Sequence, residues 1–258
     1  MSLTAYPVTD EKDLDEIYRL RYKVFCYEWG FEKPDDYPDE RVTDVYDKHS
    51  LHFAVRGDRE KIVGAVSLIL NSPEGFPAEK YCELDINTSD LPRNSIAEVS
   101  RLVVHRDYRR RAEDKYIYGP DEERRSIGSF HYPASYQPPN NFSRRADDRY
   151  RGRSPRRQIE PYTDRRRRHE VVFSLYRAMY QESRRRQISH WYSIMTKGIV
   201  ILLQKFGFSF EAIGDPVDFR GIRTPYLAVI EKMEQDLSVS NPSVYEDLNG
   251  GDGNSDGR

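Results

Sequence analysis

The sequence predicts a mixed α/β (α+β) fold in which a central sheet is flanked by helices. Strand-like runs alternate with amphipathic helical stripes along the chain, and no internal repeat interrupts them. With 258 residues, 37% of them hydrophobic, the chain can bury a sizeable core. We expect a single domain over residues 1–237 that carries a mobile insertion over 112–168, followed by a disordered tail over 238–258.

The first half of the chain contains one helix and three strands. Its apolar residues first recur at helical spacing and then in β-type runs, and the turn residues Gly57 and Asp58 join the first two runs as a hairpin. The predicted elements are a helix over 13–26 and strands over 52–56, 63–70 and 97–105.

Regular patterning stops in the insertion, residues 112–168, where six of the 15 prolines lie among scattered arginines. Residues 101–187 hold 23 Lys and Arg against 12 Asp and Glu, whereas the whole chain has a net charge of -2. A basic middle is therefore flanked by acidic ends, which indicates a docking surface for an acidic partner.

Apolar periodicity returns after the insertion and continues to about residue 232. Thr196 and Gly207 have the residue types that begin and end a helix. The predicted elements are helices over 169–186 and 196–207 and strands over 188–195, 208–213 and 226–232. From 238 onward the residues are mostly Asn, Gly, Ser and Asp, which predicts the disordered tail.

Composition excludes several functional classes. Two cysteines provide neither a disulfide framework nor a zinc motif, and His49 and His52 lack further ligands, so we expect no metal site and a reducing, cytoplasmic setting. The longest apolar run, residues 199–203, is too short to span a membrane. No phosphate-binding loop or dinucleotide fingerprint is present. The arginine runs could suit nucleic acid, but the pI of about 6.3 and the sparse aromatics favour a solvated or protein-docking loop, so we expect no nucleic-acid partner.

Arg21 lies on the apolar stripe of the first helix, where an unpaired guanidinium is costly. Asp44, Asp47 and Glu98 are its candidate partners. Alternatively, Arg21 lies at the edge of the stripe and reaches water. The two aspartates could equally belong to a solvated loop.

Glu98 and Arg101 fall on opposite faces of a regular strand. A β-bulge between them would bring both to one side and splay the strand from its neighbour, opening a cleft. The alternative is an ion pair on an edge strand. Trp191 and Tyr192 lie on the strand expected beside this one, either as substrate contacts or as core aromatics.

These motifs resemble those of a known family. Arg21, Phe25 and Trp29, followed by the 44–47 and 98–101 motifs, are similar to those of acyl-homoserine-lactone synthases and N-acyl amino acid synthases, which share the GNAT acyltransferase fold. Residues 175–183, 190–192 and 206–208 resemble the PEP-CTERM/exosortase system-associated acyltransferases. Together the similarity covers roughly residues 4–235.

The resemblance implies a bacterial, cytoplasmic GNAT-type N-acyltransferase. Such an enzyme moves a fatty-acyl group from a phosphopantetheine thioester, on acyl carrier protein or coenzyme A, to the amino group of a small acceptor such as an amino acid. It holds no tightly bound cofactor. Two alternatives are a lactone-forming signal synthase that uses S-adenosylmethionine and a catalytically idle binding module.

The resemblance also assigns roles to residues. It implies that Glu98, as general base, acts with Ser100 and Arg101, and that the carrier is bound by Arg109, Arg110, Arg111, Arg167 and Arg168. The residues that it implies for substrate binding are Arg21, Phe25, Trp29, Asp44, Asp47, Trp191 and Tyr192.

The chain departs from the family pattern at two points. Arg109, Arg110 and Arg111 stand where GNAT enzymes have a glycine-rich loop for the coenzyme A pyrophosphate, which moves the expected donor toward a carrier protein. Ser67 stands where lactone synthases usually carry an arginine, which reduces the support for S-adenosylmethionine.

Overall fold

A computed structural model describes residues 3–57, 60–108 and 164–250, with side chains in the last range from residue 170 onward. Within these ranges the elements are β1 (Ala5–Val8), α1 (Glu11–Tyr22), β2 (Ser50–Arg56), β3 (Ile62–Leu70), α2 (Pro77–Tyr81), β4 (Ile96–Val104), α3 (Asp164–Arg185), β5 (His190–Met195), α4 (Lys197–Lys205), β6 (Glu211–Ala212), β7 (Val217–Asp218), β8 (Ile222–Val229), α5 (Ile230–Ser240) and α6 (Pro242–Asn249). A π-helical turn, Lys23–Glu28, directly follows α1.

The eight strands form one sheet in the order β1-β2-β3-β4-β5-β8-β6, with β7 paired to β8. Neighbouring strands are antiparallel except for β4 and β5, which are parallel. The predicted mixed sheet flanked by helices is confirmed, and β2 and β3 form the predicted hairpin.

The sheet buries both faces under helices. Arg21 of α1 reaches Ser67 on one face, which we call the α1 face. On the other, the α3 face, Gly64 approaches α3 so closely that an added Cβ would lie 2.4 Å from Val171 Cγ1. Residues of β4 and β5 alternate between these faces. Glu98, opposite Ile69, points to the α1 face, as Ser67 does.

Three predicted boundaries were wrong. Helix α3 begins at Asp164, inside the predicted insertion. Residues 165–168 are arginines, which have high helix propensity, but the sequence prediction placed them in a loop because they are polar. Of the predicted strand 208–213 only Glu211–Ala212 pair, because Phe208 and Phe210 pack into the core instead. Strand β8 begins at Ile222 rather than at 226.

The tail prediction was wrong for residues 238–250. Asn241 accepts a hydrogen bond from the Val244 backbone N–H, and Pro242 occupies the first turn of α6, as both residues do at helix starts. Leu248 is buried in the main core, and Gln181 of α3 donates to its carbonyl at 3.1 Å. The remaining tail, 251–258, lies outside the described residues, as does the insertion between 109 and 163.

None of the described helices is long and apolar enough to cross a bilayer. In the same residues, no three histidine, cysteine or carboxylate side chains converge as metal ligands would.

Candidate active site

Strand β4 carries a β-bulge at Arg101. Ser100 pairs with Ser67, whereas Val103 pairs with Ala65, so β4 has one more residue than β3 between these two pairs. Arg101 itself has a φ of 56°, in the left-handed region that non-glycine residues rarely occupy. The predicted bulge is therefore confirmed. Because of the extra residue, the side chains that follow it point to the opposite face of the sheet from the one they would have in a regular strand.

Strands β4 and β5 separate after Glu98, just before the bulge. Their pairing covers only residues 96–98 of β4 against 190–192 of β5. A side-chain hydrogen bond, from Ser193 Oγ to the Val99 carbonyl at 2.8 Å, then replaces the ladder. A gap therefore opens between β4 and β5 after these residues, as expected for a strand that carries a bulge.

A cavity occupies this gap and reaches both faces of the sheet. Glu98, Ser100 and Arg101 line it from β4. Its wall on the α3 face is apolar and includes Tyr176, Met195 and Ile199. Its wall on the α1 face includes Phe25, Trp29, Phe31, Phe219, Arg220 and Arg223.

Glu98 is 1% exposed. Its Oε2 accepts a hydrogen bond from the Ala78 backbone N–H at 2.8 Å, one of the free donors of the first turn of α2. Burial raises the pKa of Glu98 to about 8, although the Ala78 hydrogen bond and nearby Arg101 favour the charged form. A carboxyl group with this pKa can accept and release a proton near neutral pH.

Each aspartate of the 44–47 motif holds one arginine. Asp47 Oδ1 accepts from Arg21 Nη1 at 2.7 Å, and Asp44 pairs with Arg101. A hydrogen bond within the motif stabilises the turn over residues 44–47: Asp47 Oδ2 accepts from the Asp44 backbone N–H at 2.9 Å. Asp47 is thus the partner of Arg21, and the edge-of-stripe alternative is wrong.

Arg21 and Asp47 do not line the cavity. Arg21 is 0% exposed and also donates to Ser67 Oγ at 2.7 Å, so it is enclosed rather than available to a substrate. In the structure they fix the turn from which Asp44 holds Arg101, and that they bind the acceptor stays a prediction.

His52 completes the buried group around Arg21. Its Nδ1 lies 3.0 Å from Ser67 Oγ and 3.3 Å from Arg21 Nη2. Burial, together with the charge of Arg21, lowers the pKa of His52 to about 4, so the ring is neutral. Sequence reasoning missed this role. His52 and Ser67 are polar residues within the two apolar strands predicted to pair as a hairpin, which could have indicated it.

The aromatic residues after α1 form one wall of the cavity. Phe25, Trp29 and Phe31 pack on each other with ring centroids 5.2 to 6.2 Å apart. The π-helical turn contains Phe25 and ends at Glu28, directly before Trp29, so the wider turn determines the direction of both side chains. Phe25 and Trp29 thus line the cavity, and that they bind the substrate stays a prediction.

Trp191 and Tyr192 point to opposite faces of the sheet. Trp191 is enclosed on the α3 face, where its Nε1 donates to Ser183 Oγ at 2.9 Å and its ring stacks on Phe208. Tyr192 packs edge-on against Phe76, on the same side as Glu98. Neither residue is among those that line this cavity, and both pack as buried core aromatics, so that they contact the substrate stays a prediction.

Sequence reasoning predicted a turn over residues 215–225 but missed its place at the cavity. Phe219 and Arg220, in the turn between β7 and β8, and Arg223, near the start of β8, line the cavity. Arg220 forms an ion pair with Glu32, and Phe219 packs on Tyr81 with ring centroids 4.7 Å apart. The local sequence reads only as a turn, because these contacts join segments far apart in the chain. Two arginines, Arg220 and Arg223, in a Gly- and Pro-containing segment were the available signal.

The predicted carrier-binding residues cannot be placed. Arg109, Arg110 and Arg111 lie outside the described residues, and so do the side chains of Arg167 and Arg168.

Residues 20–118 match a family model, the acetyltransferase (GNAT) domain. No curated protein matches the chain. Among solved structures, the chain is similar to that of a CoA-dependent acyl-homoserine lactone synthase, BjaI, with S-adenosylmethionine and isopentyl-CoA. The two chains are 17% identical with a TM-score of 0.57, and the similarity covers 96% of this chain and 89% of that one. A ternary complex of TofI with an inhibitor and MTA has 13% identity and a TM-score of 0.55, covering 95% of this chain and 100% of that one.

A more distant likeness is to FeeM, an N-acyl amino acid synthase from uncultured soil microbes. It has 10% identity and a TM-score of 0.48, and the likeness covers 91% of this chain and 94% of that one. The fold is that of the GNAT acyltransferases. Together, the domain match and the fold are those of an N-acyltransferase.

Proposed function

We propose that this enzyme transfers a fatty-acyl group from a phosphopantetheine thioester to the amino group of a small acceptor, an amino acid. The observation that carries the proposal is the position of Glu98. Its buried carboxyl group, with a pKa of about 8, lines a cavity that passes through the sheet where β4 and β5 separate. The product is an N-acyl amine, and the released group is the carrier thiol.

The two walls of the cavity suit the two halves of this reaction. The acyl chain lies against the apolar wall on the α3 face, formed by Tyr176, Met195 and Ile199. The acceptor approaches from the α1 face, where Trp29 and Glu98 are found. The thioester carbonyl is then at the bulge, between the two.

In the chemical step, ionised Glu98 removes a proton from the acceptor ammonium, directly or through a water, because only the free amine has the lone pair that attacks. The nitrogen bonds to the carbonyl carbon, the C–S bond breaks, and the thiolate leaves and takes up the second nitrogen proton. Backbone N–H groups around Ser100 and Arg101, turned out of the ladder by the bulge, stabilise the oxyanion.

Arg101 and Asp44 position the reacting groups. Arg101 is held against Asp44, and its guanidinium lies over the Tyr46 ring, 5.7 Å from the centroid. Its positive charge lies near Glu98 and favours the ionised base. The same charge favours the oxyanion in the transition state.

We assign the donor to an acyl carrier protein, from the sequence. Arg109 to Arg111 and Arg165 to Arg168 give the chain a basic middle that suits an acidic carrier. Coenzyme A remains the competing carrier, and S-adenosylmethionine the competing acceptor. The association with a PEP-CTERM/exosortase system and a cytoplasmic location remain predictions.

The test is an acyl-transfer assay on the full chain. Acyl carrier protein and coenzyme A thioesters of several chain lengths are incubated with amino acids, simple amines and S-adenosylmethionine, while thiol release is followed and products are identified by mass. We expect N-acyl amino acids. A lactone product that requires S-adenosylmethionine would support the signal-synthase alternative, and no thiol release above background would support an idle module.

A further inference from the structure

The acceptor side of the cavity is largely covered. Glu98 is 1% exposed, and Trp29, on the wall of the α1 face, is 6% exposed. Water therefore hardly touches either side chain, and an acceptor molecule is larger than water. An acceptor reaches Glu98 only after an element that covers this side of the cavity has moved.

One covering element projects from the sheet. Strand β8 pairs with β5 over residues 224–229, and its first two residues pair instead with β7. We call residues 217–223 the hairpin tip. The tip extends past the end of β5 and contributes Phe219, Arg220 and Arg223 to the wall on the α1 face. A two-stranded hairpin this short is marginally stable alone, so its position depends on contacts with the rest of the protein.

Two contacts hold the end of the hairpin tip against the protein. Arg220 forms an ion pair with Glu32, whose backbone N–H donates to the Phe25 carbonyl at 3.3 Å. Phe219 packs on Tyr81, the last residue of α2, with ring centroids 4.7 Å apart. The first contact joins the tip to the aromatic wall after α1. The second joins it to the helix whose first turn hydrogen-bonds the buried carboxyl group of β4.

Both contacts lie near the surface. The side chains of Arg220 and Glu32 are 32% and 16% exposed, and Tyr81 is 45% exposed. Partly exposed ion pairs are weak, because water competes for both charges. The base of the tip, in contrast, continues into the ladder between β5 and β8. The end of the tip is thus held less firmly than its base.

The turn inside the hairpin tip has its own hydrogen bonds. Arg220 and Gly221 both have positive φ, 57° and 95°. The Gly221 N–H donates to Asp218 Oδ1 at 3.2 Å, and the Phe219 N–H donates to the Gly221 carbonyl at 3.0 Å. These bonds lie within the tip, so it can swing away from the cavity as one unit and keep them.

The aromatic wall covers the same side of the cavity but is held more firmly. The Trp29 N–H donates to the Val24 carbonyl at 3.0 Å, and the Phe31 N–H donates to the Phe25 carbonyl at 2.7 Å. Phe25 and Trp29 also belong to the main hydrophobic core. Moving this wall would break backbone hydrogen bonds and expose core residues, whereas moving the hairpin tip breaks two contacts near the surface.

We propose that the hairpin tip is a gate on the path of the acceptor to Glu98. The Arg220–Glu32 pair and the Phe219–Tyr81 contact close it, and it opens when both break. The identity of what enters, a small amine, rests on the proposed function, but the motion does not depend on the reaction. Closing the gate behind the acceptor keeps water away from the thioester.

Acrylamide quenching of Trp29 fluorescence measures opening without the reaction. Trp191, the other tryptophan, is 0% exposed and is replaced by phenylalanine so that Trp29 reports alone. Arg220→Gln and Glu32→Gln each remove one partner of the closing pair. The charge swap Glu32→Arg with Arg220→Glu restores a pair. Arg185→Gln, which removes an arginine from an exposed pair on α3, is the control.

We expect each single substitution to raise the quenching constant of Trp29 roughly 2- to 5-fold, the shift in an opening equilibrium when a partly exposed ion pair is lost. The charge swap should return the constant toward the wild-type value, and Arg185→Gln should leave it unchanged. Should Trp191→Phe fail to fold, the native protein is measured, and Trp29→Phe should abolish the response. A quenching constant that is the same in wild type and both single variants would overturn the proposal.

A reversible cross-link tests whether the acceptor passes the gate. Glu32→Cys and Arg220→Cys are combined and joined by a bifunctional methanethiosulfonate reagent, which dithiothreitol cleaves. Cys26 and Cys82 are both buried, and wild type treated in the same way controls for them. With products measured by mass, we expect the joined protein to lose at least about 10-fold in kcat/KM for the acceptor and to regain it on cleavage.

Two results of the cross-link would contradict the gate. In the first, the joined protein acylates the acceptor as fast as the cleaved protein. In the second, joining raises the KM of the acyl donor alone, which would place the hairpin tip on the path of the donor. If wild type forms no N-acyl product while the quenching changes occur as expected, the proposed function is contradicted and the gate is not.

Discussion

The Ala78 backbone N–H donates to Glu98 Oε2 at 2.8 Å, which links the first turn of α2 to the carboxyl group at the centre of β4. Pro77, the preceding residue, has no N–H, so Ala78 supplies one of the first donors of that helix. This hydrogen bond favours ionised Glu98, while burial of the side chain opposes it more strongly. Glu98 is consequently a base whose protonation state changes within the working pH range.

The activity should therefore rise with pH. Burial raises the pKa of Glu98 from 4.5 to about 8, so the group is mostly protonated at pH 7 and becomes ionised as the pH passes 8. We expect kcat/KM to increase about tenfold per pH unit below pH 8 and to level off above it.

The acceptor for this measurement is one whose ammonium group stays protonated over the pH range, so that Glu98 is the group whose ionisation changes. Wild type should level off above pH 8, whereas Glu98→Gln, which depends on the small fraction of free amine, should continue to rise. A kcat/KM of wild type that stays constant from pH 6 to 9 would show that Glu98 does not titrate as the base.

The Arg21–Asp47 pair should be important for stability. Asp47→Ala leaves a fully buried guanidinium without its carboxylate, and breaking a buried pair in this way costs about 3–5 kcal/mol of unfolding free energy. Urea denaturation measures the loss.

The matched control is Asp15→Ala, which removes a carboxylate from exposed pairs with Arg19 and Arg41 and should cost less than about 1 kcal/mol. If the two substitutions destabilised the protein equally, the buried group around Arg21 would not support the 44–47 turn in the way described here.

Tyr176 should limit the length of the acyl chain. Its side chain lies on the apolar wall of the cavity, and its hydroxyl lies 4.0 Å from Met195 Sδ. Tyr176→Leu removes part of this wall, so we expect the preferred donor to become longer. Each methylene that gains a buried position adds about 0.8 kcal/mol of binding free energy.

The measurement is a chain-length series of acyl donors under kcat/KM conditions, with Tyr176→Phe as the control that keeps the ring. An unchanged optimum in Tyr176→Leu, in a variant with a native circular dichroism spectrum, would place the acyl chain elsewhere.

Local patterns were enough to predict much of the site. The alternation of a strand placed Glu98 and Arg101 on opposite faces, so a shared cleft required a bulge, and the bulge is present. Likewise, an arginine on an apolar stripe required a carboxylate, and Asp47 supplies it. The first prediction follows from the alternation of side chains along a strand, and the second from the cost of an unpaired buried charge.

Features that depend on distant contacts could not be predicted in this way. The cavity receives Arg223 only because β8 pairs with β5 and its turn is tied to Glu32, a residue far away in sequence. Trp191 and Tyr192 illustrate the same limit. Their neighbours in the sequence do not determine which of the two points to the α1 face and which to the α3 face.

The effect of Glu98→Gln on turnover tests the central claim most directly. Glutamine keeps the size of the side chain and can still accept the Ala78 hydrogen bond, but it cannot remove a proton. With a saturating acyl donor and acceptor at pH 8, we expect kcat to fall about 10²-fold or more while the thermal unfolding midpoint stays at or above that of wild type. Near-wild-type turnover by a folded Glu98→Gln protein would contradict the account.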